Sequence, residues 1–212
     1  MSGRPWNARF FEADPRFWPI TPAALRFATH EDFPAPEEHA APGVRFVTAT
    51  KPRRTRRGPT QRATGYDARI VGGEVPTRAR SWHDFLNALA WATFPKSKLA
   101  LHARQAAAIR ASVPDGARTL PNARTRELDA LALFDEGGII VLESPSGALP
   151  LAFGHALYEG LVTSGPQATA SALAFAIEAL PNREAAPAVA DALLSERLGG
   201  PLLPELLLRR EF

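Results

Sequence analysis

Residues Ser81 to Gln105, SWHDFLNALAWATFPKSKLALHARQ, have the apolar content of a core helix yet carry His83, Asp84, Asn87, Lys98 and His102. Burying such groups unpaired costs about 1–3 kcal/mol each, more when charged, so a chain that keeps them normally supplies partners. Positions four apart on a helix share one face. His83 and Asn87 make such a pair, with Trp91 extending the stripe, and Lys98 and His102 make a second. His155 and Glu159, within FGHALYEG, make a third.

Histidine and carboxylate one turn apart are also how helices present metal ligands. His83, His155 and Glu159 are therefore candidate ligands for a divalent transition metal, or the centre of metal-free acid–base work. Asp84 or Asp135 would orient a histidine, and Glu136 beside Asp135 supplies a further oxygen. Asn87 and Lys98 would bind or polarise an oxyanion, so the candidate catalytic set is His83, Asp84, Asn87, Lys98 and Asp135. Each has a plainer reading. A helical histidine is often a satisfied structural residue, Asp135-Glu136 is ordinary turn chemistry, Lys98 can bury its stem, and Trp91 belongs in a core.

The elements that must position these groups read as α+β, mostly helical, with short antiparallel hairpins. Residues 1–50 mix dense prolines with aromatics, seven of them between Trp6 and Phe33. That composition forbids long helices but is too aromatic for disorder, and predicts an irregular arm packed on the domain. Val44 to Thr48 reads as a strand, and Tyr66 to Thr77 as a hairpin turning at Gly72-Gly73. Ser81 should cap a helix running to Thr93, with a second from Pro95 to Ala111. Leu128 to Glu143 suggests another hairpin, turning at Glu136-Gly137-Gly138. Residues 152–163, Ala168 to Leu180, Glu184 to Leu198 and Leu202 to Arg209 read as helices. The whole divides into an arm (1–50), a basic exposed loop (51–65) and one α+β domain (66–212).

The chain has 212 residues, 45% hydrophobic and 22% charged, which suits a single sizeable core. There is no apolar run long enough to span a bilayer, so no membrane partner is expected. Zero cysteines exclude disulfides and thiolate chemistry and fit a reducing cytoplasm. The net charge of +3 is concentrated in KPRRTRRGPTQR, Lys51 to Arg62, without which the remainder would be net negative. Arg53, Arg54, Arg56 and Arg57 could clamp phosphates, making a sequence-tolerant nucleic-acid-binding protein one alternative function. The bland reading of that tract is a solvated loop. A non-catalytic protein with a buried polar network is another alternative.

No G-x-S-x-G, Walker loop, H-E-x-x-H or G-x-G-x-x-G occurs, and Ser144 and Ser146 in ESPSG read as turn residues. Three segments carry a resemblance: YDARIVGGEVPTRARSWHDFLNALAWATFPKSKLALHARQ, RELDALALFDEGG and FGHALYEG. In these the chain resembles the bacterial DUF3025 family, a domain of unknown function. The resemblance implies shared positions, among them His83, Asp84, Asn87, Lys98, Asp135, Glu136, His155 and Glu159, and implies no activity. From the residues themselves, a polar pocket serving a metal-linked or acid–base hydrolase is the leading expectation.

Overall fold

The computed structural model describes residues 4–49, 69–112, 125–163 and 169–211, and the fold is α+β. The expected basic loop, including Arg53, Arg54, Arg56 and Arg57, lies outside the described residues. Among the described residues, no helix is long and apolar enough to cross a membrane.

The proline-rich start forms single turns of helix: Phe10–Glu12, Pro15–Phe17, Thr21–Ala24, Leu25–Phe27 and Pro36–Glu38. Proline falls at the start of three of them, where its missing N–H costs nothing. Their aromatic rings enter the core. Phe10 packs at 5.3 Å from Trp82, and Phe17 stacks at 5.8 Å on Tyr158. The arm thus braces two helices at once, the two that carry His83 and His155.

The first is α1 (Trp82–Thr93), capped by Ser81, whose Oγ accepts from the Asp84 N–H. After a break at Phe94, α2 (Pro95–Ser112) begins on proline. Its next two N–H groups, of Lys96 and Ser97, donate to the carboxylate of Asp191, which supplies the missing cap from another helix. That helix is α5 (Ala186–Arg197); between them in sequence come α3 (Arg126–Gly137) and α4 (His155–Thr163).

A small sheet, β1 (Ala40–Ala41), β2 (Val44–Thr48) and β3 (Glu74–Thr77), packs Phe46 and Val75 against Trp91 of α1. The larger sheet has β4 (Gly138–Ser144), β5 (Gly147–Ala152), β6 (Thr169–Ala176) and β7 (Leu208–Glu211), in the order β5-β4-β6-β7. Successive residues of its central strand point to opposite faces. Ile139 therefore joins the arm, α1 and α4, while Ile140 and Leu142 join α2, α3 and α5. Helices cover both faces of the sheet, and α3 runs straight into β4.

Four expectations are corrected. Leu128 to Glu143 is not a hairpin: Ala130, Leu131 and Phe134 are buried at helical spacing, and Thr125 caps the helix, so the segment is α3 followed by β4. Gly138 serves close approach rather than a turn, since a Cβ there would lie 2.3 Å from the Phe134 carbonyl oxygen. The hairpin expected over Tyr66 to Thr77, whose first three residues lie outside the described residues, gives way to another pairing: Arg69 to Val71 are helical, and β3 lies parallel to β2, with Arg45 opposite Glu74. Gly73 does take a positive φ of 84°. Ala168 to Leu180 holds a strand, because pairing with β4 on one side and β7 on the other overrides the helix propensity of its alanines. Leu202 to Arg209 is one 3-10 turn, Pro204–Leu206, leading into β7.

Candidate functional site

Three helices converge on two imidazoles. His83 comes from the first turn of α1, His155 opens α4, and Asp135 and Glu136 lie in the last turn of α3. A glycine makes the junction: a Cβ on Gly154 would lie 2.3 Å from the Glu136 carbonyl oxygen. Gly154 and Phe153 also both donate to the Gly138 carbonyl at 2.9 Å. The residue after that glycine is His155, so the backbone contact delivers its ring to the end of α3.

The rings of His83 and His155 meet edge to face, with Nε2 to Nε2 at 3.1 Å. Glu136 Oε2 is 3.3 Å from His155 Nε2. One ligand atom from each of His83, Glu136 and His155 thus falls within 4.8 Å of the other two. The outer nitrogens are also engaged: His83 Nδ1 lies 2.9 Å from Glu159 Oε2, and His155 Nδ1 3.1 Å from the Asp135 carbonyl oxygen. A carbonyl only accepts, so His155 Nδ1 carries the hydrogen and its Nε2 presents a lone pair when the ring is neutral. Burial, with the Lys98 charge behind it, lowers the His155 pKa to about 3, which keeps the ring neutral at ordinary pH. Glu159 likewise holds a hydrogen on His83 Nδ1. With both rings neutral and Glu136 ionised, three acceptor atoms are turned toward one another.

Behind them lies a closed pair. Lys98 is fully buried, and its Nζ donates to Asp135 Oδ1 at 2.6 Å, between the rings of Trp91 and Phe153 at 5.7 and 5.6 Å. Burial acts to raise the Asp135 pKa, but Lys98, His102 and His155 together hold it well below the usual carboxylate range. Glu136 moves the other way, raised by burial and then by the Asp135 charge. Both acids sit at a helix C-terminus, where the carbonyl ends repel anions and favour a cation.

The sequence candidates divide accordingly. His83, His155 and Glu159 come together, joined by Asp135 through its carbonyl and Lys98 through Asp135. Glu159 stands against the far nitrogen of His83, whereas Glu136 is the carboxylate grouped with the two inner nitrogens. Asp84 orients no histidine; Arg78 holds its carboxylate through the backbone N–H at 2.5 Å and the guanidinium at 2.7 Å. Asn87 keeps a buried Oδ1 with no hydrogen-bond partner among the described residues. His102 is buried and stacked on Trp91 at 5.5 Å, away from the histidine pair. Reading Asp135-Glu136 as a turn hid Glu136; helical spacing would have put it in the last turn of α3, but its place beside His155 comes from the docking of α4 on that turn.

An open cleft of ≈ 650 Å³ adjoins the site, lined by His83, Glu159, three arginines (Arg4, Arg78, Arg80) and the rings of Trp6, Phe33 and Trp82. The arginines were not singled out in the sequence, where nothing in SGRPW or RARS sets them apart from surface charge.

No curated protein and no solved structure matches the chain. One family does, over residues 46–149, described as a protein of unknown function. The match takes in His83, Lys98, Asp135 and Glu136 and stops short of His155 and Glu159. Over residues 46–149, just under half of its length, the chain matches the DUF3025 family.

Proposed function

We propose that the protein holds a divalent transition metal between His83 Nε2, His155 Nε2 and a Glu136 carboxylate oxygen, and uses it to activate water for hydrolysis. The carrying observation is the spacing of those atoms. Ligand atoms 2.0–2.1 Å from a tetrahedral ion lie about 3.3 Å apart, and two of the three separations are 3.1 and 3.3 Å.

The bland explanation is a simple N–H···N bond from His83 to His155. It requires His83 either to carry hydrogens on both nitrogens or to turn a lone pair toward the Glu159 carboxylate. A cation removes the conflict, and it also complements two acids at a helix end. The outer contacts support the same reading, because ligating histidines almost always donate their other N–H to a carboxylate or a carbonyl. Glu136 is half exposed and His83 a third exposed, so such an ion would keep positions open to water, as a catalytic rather than structural site does. An ion there would lower the pKa of bound water toward neutrality.

Protein purified without a histidine tag and stripped of metal should take up about one Zn2+ or Mn2+ per chain. His155→Asn should weaken that uptake at least tenfold. Wild-type protein that takes up no ion contradicts the proposal; a metal-free acid–base pair, His83 oriented by Glu159, is the reading such a result would leave.

A further inference from the structure

We infer that the cleft beside His83 binds a planar organic anion, its phosphate or carboxylate group on the arginines and its ring against Trp6, and that this is the substrate class of the site. The inference rests on the proposed centre for where the reacting group would lie, since His83 belongs to both ion site and cleft. The binding itself needs no ion.

Charge gives the first argument. The lining carries Arg4, Arg78 and Arg80 against a single carboxylate, Glu159, which is already committed to His83. Guanidinium is the side chain best suited to phosphate and carboxylate, because its fork matches two oxygens at once. Arg78 and Arg80 pair with Asp84 and Asp32, but both guanidiniums are some two-thirds exposed. The Arg80–Asp32 pair, exposed on both sides, is weak and solvent-screened and competes little with an arriving anion, while Arg78 keeps a two-point grip on Asp84 and contributes its charge to the cleft wall.

Shape and backbone add to this. The walls include Trp6, tilted against Phe33 at 4.7 Å and stacked on Trp82 at 5.2 Å, a flat apolar surface of the kind that receives a ring. At ≈ 650 Å³ the space suits a small organic molecule. Arg80 is also the one non-glycine among the described residues with a positive φ, at 55°. Glycine or asparagine would hold that conformation with less strain, and strain of this sort concentrates at ligand sites. An arginine placed there at a cost to stability is accounted for if its side chain has a ligand to meet.

The test is a fluorescence titration of ion-free protein, chelator dialysed away, with phenyl phosphate, benzoate and benzyl alcohol, since Trp6 and Trp82 line the cleft. Saturable quenching by one or both anions, weakened by salt and absent with benzyl alcohol, is the expected result. Response to phenyl phosphate alone assigns phosphate as the anchor, and response to benzoate alone assigns carboxylate. Arg80→Asn should weaken binding at least fivefold while melting no lower than wild type, because asparagine tolerates the left-handed backbone. The inference is overturned if neither anion binds, if benzyl alcohol binds equally well, or if Arg80→Asn leaves affinity unchanged. Protein that takes up metal but no anion rejects this inference alone, and protein that binds anion but no metal rejects only the metal centre.

Discussion

Asp135 and Glu136 follow each other in the last turn of α3, yet their surroundings differ in kind. Asp135 is closed into an ion pair with fully buried Lys98 at 2.6 Å, while Glu136 ends 3.3 Å from an imidazole nitrogen and stays half open to water. The first arrangement is complete, every charge answered by its opposite. The second gathers acceptors with, among the described residues, no cation set between them. Completed pairs hold a fold together, and clusters left one charge short are where a ligand has something to contribute.

The largest effect expected from breaking this contrast is on the closed side. Lys98→Met strands a buried carboxylate and should cost about 3–5 kcal/mol in urea denaturation. Adding Asp135→Leu should recover most of the loss, because two apolar groups replace the pair without leaving a lone charge. Failure to recover would mean that Lys98 does more than answer Asp135.

His39 shows what burial does without a completed pair. It sits against Phe27, Phe46 and Phe85, and burial lowers its pKa from 6.5 to about 4. Between those values the unfolded chain takes up a proton that the folded protein refuses, so stability falls as pH drops from 6.5 to 4 and is unaffected above that window. The loss should approach about 3 kcal/mol. Denaturation of His39→Leu at pH 7 and pH 4 should show that much less acid sensitivity than wild type.

Gly154→Ala probes the junction that both regions share. The added Cβ meets backbone atoms of Glu136 and Gly138 within 2.5 Å, and backbone cannot give way cheaply. A cost of about 1–3 kcal/mol is expected, with weakened metal uptake because His155 is the next residue. The smallest effect should have the opposite sign. Glu136→Gln removes a charge from a helix C-terminus beside another acid, and should raise the melting temperature of ion-free protein by the equivalent of about 0.3–1 kcal/mol while abolishing metal uptake. A destabilised Glu136→Gln would place Glu136 with the structural residues.

Local chemistry made α1 and α2 readable from sequence: Ser81 as cap, Pro95 as a first residue, and apolar spacing between them. The arm followed from rings and prolines in one stretch. TASALAFA misled because alanine favours helix, and only its neighbours β4 and β7 make it a strand. LDALALF admits both periods over so few residues, and the adjacent Gly-Gly tipped the reading toward a turn. That error carried into the site, since Glu136 on a loop gave no reason to prefer it over Glu159, one turn from His155. Which of two carboxylates meets the inner nitrogens is decided by how α3 and α4 dock through Gly154. That is a long-range contact no spacing rule contains.

The convergence of His83 and His155 Nε2 is tested most directly by 15N spectra of the histidine rings at pH 7, before and after one equivalent of Zn2+. Ion-free His155 should carry its hydrogen on Nδ1, and zinc should shift the Nε2 signals of His83 and His155 while His30, His39 and His102 stay in place. Zinc that moves neither signal, or that moves the other three instead, would contradict that convergence.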